Sequence, residues 1–356
     1  MARRETVPTI KDVARIAGVS VGTVSRYLNG GHARSQNAER IDAAVSALGY
    51  RPNVLGRYLV TGSPRTVGVL VPRAANVFAA TILSGLQLAF EETGYAVVVI
   101  DYQASPELLR KHIWGQLLSG RVDGLVVLTS ELARDEYAFL ADVDIPLVVI
   151  DNPLDAPGVD SVVVDNRSAS RRLVGAMLDA GHERAGLVGM RSNTHVGRER
   201  RLGWEDAYRE RGLAVPERLA LEAEATKDAG SAMASRLVSR GSVTTIFAAN
   251  YYLALGSLCT LARLGLRVGV DIGFATFDDY GFGDVFVPAL STVRQPSAEI
   301  ARTAADLLVR RLKGTDDRPS QVSLVQAEVR VTDSVRGGLW DEAHLLWAAW
   351  NRPQAV

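Results

Sequence analysis

The sequence predicts a molecule in two parts: an N-terminal all-α helix-turn-helix headpiece, then an α/β body folded as two Rossmann-like parallel sheets. Three observations carry this. Thr9 to Gly30, TIKDVARIAGVSVGTVSRYLNG, hold two short amphipathic stretches around a tight Ala-Gly-Val-Ser turn. From Thr66 onward, short runs rich in Val, Ile and Leu alternate with longer amphipathic stretches. Charge is also unevenly spread: residues 1–65 carry ten Lys and Arg against four acids, net +6, whereas residues 66–356 carry 30 against 36, net −6. A balanced total of 40 against 40 therefore hides a basic head on an acidic body. A basic head is suited to a phosphate backbone.

The first helix is expected from about Ile10, with Thr9 as its cap and with Ile10, Val13, Ala14 and Ile16 turned inward. Gly18 ends it, because the turn needs a left-handed residue. Ser20 caps the second helix, in which Val24 and Leu28 face the first helix and Val21, Gly22, Ser25 and Arg26 face outward. A helix of this size fits the major groove, where arginine pairs bidentately with guanine. The plain alternative is a helical hairpin with scattered surface charge. Pro52 then opens PNVLGRYL, which is too short to be a stable helix alone. It reads either as a hinge ordered on DNA or as a plain linker running to Pro64.

The body's strand candidates are VGVLV, AVVVID, GLVVL, PLVVID, SVVVD, AGLVG, TIFAA and IGFATF, with helical patterns between them such as Ala79 to Glu92 and Arg167 to Leu178. Apolar strands joined by helices make parallel sheets buried on both faces. About ten such units exceed one compact sheet, so two lobes are expected, joined by crossings near Val163, Thr292 and Val322. Ligands of such sheets sit beyond the carboxyl ends of the strands. Asp151, Asn250 and Asp278 each follow a strand candidate there, although an Asp or Asn in that position is also a common helix cap. Adjacent Asp278 and Asp279 point in different directions at a strand end, which argues against an acid and base pair. Cys259 is the single cysteine and reads as core packing.

The run TIKDVARIAGVSVGTVSRYLNG, followed by LGYRPNVLGRYL, resembles the headpiece and hinge of the lactose-repressor (LacI) family of transcriptional regulators. The resemblance continues in order through TVGVLVP, RVDGLVVL, PLVVIDNP, DSVVVDN, RERRLGW, TTIFAAN, FDDYGFGDVFVPALSTVRQP and a late RRL. It implies a periplasmic-binding-protein-like core and a sequence-specific regulator, a repressor, that grips a palindromic operator as a homodimer or higher assembly. A small polar effector, a sugar or sugar derivative, would sit between the lobes. The DNA-contacting candidates are Thr9, Ser20, Val21, Gly22, Thr23, Ser25, Arg26, Asn29, Arg57 and Leu59, with Leu59 aligned to a leucine that wedges into the minor groove. The effector candidates are Asn76, Phe78, Asp151, Arg200, Asn250, Asp278 and Gln295. Arg200 is singled out by its register with Trp204. Three departures stand out: Tyr251 where relatives often carry an acid, Ala225 where an aromatic ring often stacks on a sugar, and Gly56 in the hinge where alanine is common.

The expected domains are a headpiece over 8–50, a hinge and linker over 51–65, and a body over 66–338. In the body a first lobe takes 66–163 and 293–322 and a second takes 164–292 and 323–338; a tail follows over 339–356. Trp340, Trp347 and Trp350 share one helical face in that tail, which either packs on the second lobe or adds self-association. A transport receptor with this core would need export, yet Met1-Ala2-Arg3-Arg4-Glu5 leads into the helix pair rather than a signal peptide. No run reaches the length of a membrane span, so a cytoplasmic location is expected. A nucleotide-dependent enzyme would need a phosphate cradle, and Gly281-Phe282-Gly283 lacks the rest of that pattern. No catalytic set, cofactor or metal is expected.

Overall fold

The structure is a computed structural model that describes residues 8–28, 31–50, 63–118, 120–239, 243–314 and 318–336. Asn29, the hinge with Arg57 and Leu59, and the Trp-bearing tail lie outside the described residues. Two compact units result, divided after Pro64.

In the first unit, α1 (Ile10–Ala17), α2 (Val21–Leu28) and α3 (Ser35–Leu48) surround a small core of Val13, Ala14, Ala17, Val24, Ile41, Ala44 and Tyr50. Asp12 starts α1 by accepting from the Thr9 amide at 3.0 Å and its hydroxyl at 2.7 Å. Gly18 ends it at φ 62°, where a Cβ would also collide with Arg40. The Ser20 hydroxyl accepts from the Thr23 amide at 3.1 Å and so caps α2. Ile16 departs from the expectation: it is 48% exposed and Ala17 takes the inward place. The positions 10, 13, 14 and 17 share one helical face, and 16 lies off it. α3, which the helix pair alone did not announce, brings Ile41 and Ala44 to the core. It is tied to α2 by the Tyr27 hydroxyl, which donates to Asp42 at 2.7 Å.

The second unit carries two six-stranded sheets. The first has the order β11-β5-β4-β3-β1-β2, made of β1 (Thr66–Val71), β2 (Ala96–Asp101), β3 (Gly124–Leu128), β4 (Leu147–Ile150), β5 (Val159–Val164) and β11 (Val322–Val325), all parallel. The second repeats that arrangement as β12-β10-β9-β8-β6-β7, with β6 (Ala185–Met190), β7 (Ala220–Ala223), β8 (Thr245–Ala248), β9 (Gly273–Phe277), β10 (Ser291–Arg294) and β12 (Glu328–Arg330). Only the β10–β12 pairing is antiparallel among the described strands. All eight strand candidates appear. β7, β11 and β12 are short, partly exposed edges, and β10 is rich in Ser and Thr, so their hydrophobic pattern is weak.

The crossings fall a few residues beyond the positions expected. Val163 lies within β5, Thr292 within β10 and Val322 at the start of β11, so the chain changes lobe near Asp165, Gln295 and Gln326. Ladder pairing holds each strand to its last residue, which pushes the change of lobe outward. Two crossings are clasped together: the Asp165 amide donates to Val325 at 3.0 Å, the Ala327 amide donates to Asp165 at 2.7 Å, and Arg172 donates to the Ala327 carbonyl at 2.9 Å.

Helices α4 (Val77–Thr93), α5 (Pro106–Leu118) and α10 (Ser297–Leu312) accompany the first sheet, while α6 (Asn166–Asp179), α7 (His195–Glu210), α8 (Lys227–Ser239) and α9 (Tyr251–Arg263) accompany the second. α7 positions a key arginine. Gly203 lets it approach α6 so closely that a Cβ would lie 2.3 Å from the Arg167 carbonyl. Trp204, fully buried, donates through Nε1 to the Ala185 carbonyl at 3.0 Å. None of the helices among the described residues is long and apolar enough to cross a membrane.

Candidate effector cleft and DNA-reading helix

The carboxyl ends of the strands converge on a cavity between the lobes. All seven effector candidates, Asn76, Phe78, Asp151, Arg200, Asn250, Asp278 and Gln295, line it. Asp151 ends β4 and Asp278 ends β9, and both take left-handed backbone angles, φ 79° and 72°. That conformation is costly for a residue with a side chain, and here it turns each carboxyl off its strand.

Asp278 is the hub of the second-lobe wall. Gln295 Nε2 donates to its Oδ1 at 2.5 Å, and Asn250 Nδ2 and Arg200 Nη1 both donate to its Oδ2 at 3.3 Å. Arg200 is buried with only 4% of its side chain exposed. It also donates through Nε to Asn166 at 2.8 Å and through Nη1 to the Ala249 carbonyl at 2.6 Å, and it lies 3.5 Å over the Phe277 ring. These bonds from Nε and Nη1 are what make the buried charge tolerable. Asp279 points away from the cavity, accepting from the Gly281 amide at 2.8 Å and Arg294 at 3.1 Å. Burial raises its pKa, but these bonds outweigh it and hold the carboxyl below its usual range.

Asp151 lives in a different setting. It is 4% exposed and its Oδ2 has no hydrogen-bond partner. Burial pushes its pKa up to about 7, with Asp278 adding to the rise and Arg200 and Ser130 opposing it.

The capping expectation holds for Asn250 alongside its cleft position, and Asn76 also serves as a cap. Asn250 accepts from the Tyr252 amide at 2.9 Å and so starts α9, while Asn76 starts α4 by accepting from the Phe78 amide at 2.9 Å. Residues not named from sequence complete the wall: Ser130, Glu131, Met190, Val196, Tyr252 and Tyr280. Ser130 and Met190 lie at strand ends and were open to the rule that found Asp151. Tyr251, in the place of an acid, packs edge-on against Tyr280 with centroids 5.6 Å apart and against Phe282 at 5.1 Å. Ala225 faces the cavity as well. The lobes touch at the rim, where the Tyr252 hydroxyl donates to the Ala75 carbonyl at 3.4 Å and Ala133 bridges Thr194.

On the headpiece, α2 leaves Val21 41% exposed, with Gly22 and Arg26 also exposed and Thr23 and Ser25 half-buried. Thr9 is spent on capping, and the hydroxyls of Ser20 and Thr23 share a hydrogen bond at 2.8 Å.

A helix-turn-helix unit in the same chain as a two-lobed cleft defines a ligand-responsive DNA-binding regulator. Comparison with known proteins agrees. Residues 9–53 match the bacterial regulatory proteins of the lacI family, and residues 174–335 match the periplasmic binding protein-like domain. The chain thus carries a LacI-family helix-turn-helix domain together with a periplasmic-binding-protein-like domain. It is 29% identical over 308 residues to the HTH-type transcriptional repressor PurR of Photobacterium profundum, covering 86% of this chain and 92% of that protein. It is likewise 29% identical over 322 residues to PurR of Haemophilus influenzae, covering 89% and 95%. The structure of the regulator CelR in complex with cellobiose matches at TM-score 0.70 and 29% identity, over 92% of this chain and 99% of that one. The Lac repressor bound to ONPG matches at TM-score 0.82 and 24% identity over 92% and 100%, a likeness of fold.

Proposed function

We propose that this regulator represses transcription by binding a two-fold-symmetric operator as a dimer, under the control of a small polar effector, a sugar or sugar derivative, held between the lobes. Its place is the cytoplasm, and its work is binding without catalysis. The domains divide as a headpiece over 8–50, a hinge over 51–65 and a two-lobed body. Val21, Gly22, Ser25 and Arg26 meet the major groove, with Thr9, Ser20, Thr23, Asn29, Arg57 and Leu59 supporting at backbone or minor groove. Asp151, Arg200, Asn250, Asp278 and Gln295 hold the effector, and Asn76 and Phe78 cover it.

One observation carries the switch: Gln295 stands at a lobe crossing and also bonds the cleft hub Asp278. A ligand that rearranges the hub therefore acts on the segment that sets the angle between the lobes. Coupling requires different effector affinity in the DNA-competent and incompetent states. The test is selection of bound duplexes from a random pool at fixed moderate salt, followed by effector titration. Enrichment of a dyad whose affinity shifts with ligand is expected. Indifference to sequence would remove the operator reading, and a ligand that binds without changing operator affinity would remove the switch.

A further inference from the structure

Two buried polar atoms in the cleft have no partner, Asp151 Oδ2 and Tyr280 Oη. Buried polar groups are almost always hydrogen-bonded, so a pair left open in one cavity describes what should fill it. The neighbours do not meet either atom. Both oxygens of Asp278 are engaged by Gln295, Asn250 and Arg200, and Arg200 divides itself among Asn166, the Ala249 carbonyl and Asp278. Among the described residues that line the cavity, Asp151, Asp278 and Glu131 face a single cation, Arg200. Glu131 is held at the rim by Arg73 at 3.1 Å and Asp278 is paired with Arg200, while Asp151 has Arg200 only at a distance and no ion pair among the described residues. The rings of Phe78, Tyr251 and Tyr280 line the same space, and aromatic faces attract cations.

We propose that the effector carries a protonated amine, as an amino sugar or similar amine-bearing polyol does, with its ammonium on Asp151 Oδ2 and a hydroxyl or ether oxygen accepting from Tyr280 Oη. This rests on the cleft being the effector site and narrows it. Phosphorylated and carboxylated ligands are disfavoured, because Asp151, Asp278 and Glu131 outnumber the one guanidinium on the cavity wall. The groups facing Asp151 are Arg200 from α7, Asp278 beyond β9, Ser130 beyond β3, and the phenols Tyr280 and Tyr102. With Asp151 raised to about 7, an ammonium that holds it ionised must displace its proton in acid. Amine affinity accordingly falls roughly tenfold from about pH 8 to about pH 6.

The test uses the full chain, its Asp151→Asn variant and its Tyr280→Phe variant. Thermal unfolding is followed with methylammonium chloride against sodium chloride at equal ionic strength, and calorimetry with matched pairs: glucose and glucosamine, galactose and galactosamine, plus glucose 6-phosphate. Methylammonium is expected to raise the Tm of the wild type and not of Asp151→Asn. At least one amino sugar should bind roughly tenfold or more tightly than its neutral partner, a preference that Asp151→Asn loses and Tyr280→Phe keeps at lower affinity. Unchanged binding to a mixed duplex certifies the variants' headpieces, and a cooperative melt certifies their bodies. Equal binding of matched sugars, an equal methylammonium response in wild type and Asp151→Asn, or tighter binding of the phosphate would overturn the amine while leaving the effector cleft standing. Silence from every sugar would instead count against the cleft reading beneath it.

Discussion

Asp151 and Asp278 occupy the same place in the two lobes, one after β4 and the other after β9, each the fourth strand of a sheet that repeats its partner's order, and each with a left-handed backbone. Their surroundings differ. Asp278 receives three donors, one of them cationic, whereas Asp151 keeps an oxygen open and titrates near about 7. The two lobes thus divide the labour of one fold. The second supplies a finished frame, and the first supplies a group whose energy improves only when a ligand arrives.

One substitution made at both positions is the strongest way to break that comparison. Asp278→Asn leaves Arg200 buried without its charge partner and is expected to cost about 3–5 kcal/mol of body stability, read by chemical denaturation. Asp151→Asn removes an unbalanced buried charge and is expected to add about 1–3 kcal/mol at about pH 8. Equal signs at the two sites would erase the distinction. The third check is pH. Asp151 titrates higher folded than unfolded, so its ionised form weakens the fold above pH of about 7, and that penalty is relieved as pH falls toward its ordinary value of 3.8. Relative to Asp151→Asn, the wild-type body should gain about 1.4 kcal/mol between about pH 8 and about pH 6. A flat difference across that window would place the proton elsewhere. The smallest effect belongs to the rim. Tyr252→Phe loses the 3.4 Å bond to Ala75 and should weaken effector binding by at most about fivefold, roughly 1 kcal/mol, without moving the Tm.

Much of this asymmetry could be read in advance and part could not. Eight strands showed themselves by short apolar runs, and the rule that ligands meet strand ends led to Asp151, Asn250 and Asp278. Arg200 came from its spacing to Trp204, whose burial and bond to Ala185 explain why that register is fixed. Edges β7 and β11 stayed hidden because each is four residues long and broken by a polar residue, Glu222 or Ser323. Tyr280 was passed over because a phenol three residues beyond a strand can point anywhere until Tyr251 packs against it. Ile16 was misassigned because hydrophobicity was weighed over helical angle, and its exposure on α1 corrects that. The difference between Asp151 and Asp278 was beyond the sequence altogether: it depends on which neighbours lie within 3.3 Å, and those come from elements up to 78 positions away along the chain.

Gln295 ends a strand, bridges the lobes and grips Asp278, so grip and joint share one side chain. A lineage that retunes this residue for a new metabolite necessarily alters the leverage of its own switch. Changes of taste should therefore arise first at Ala225, whose methyl side chain makes no bond between the lobes, and only afterwards at the joint.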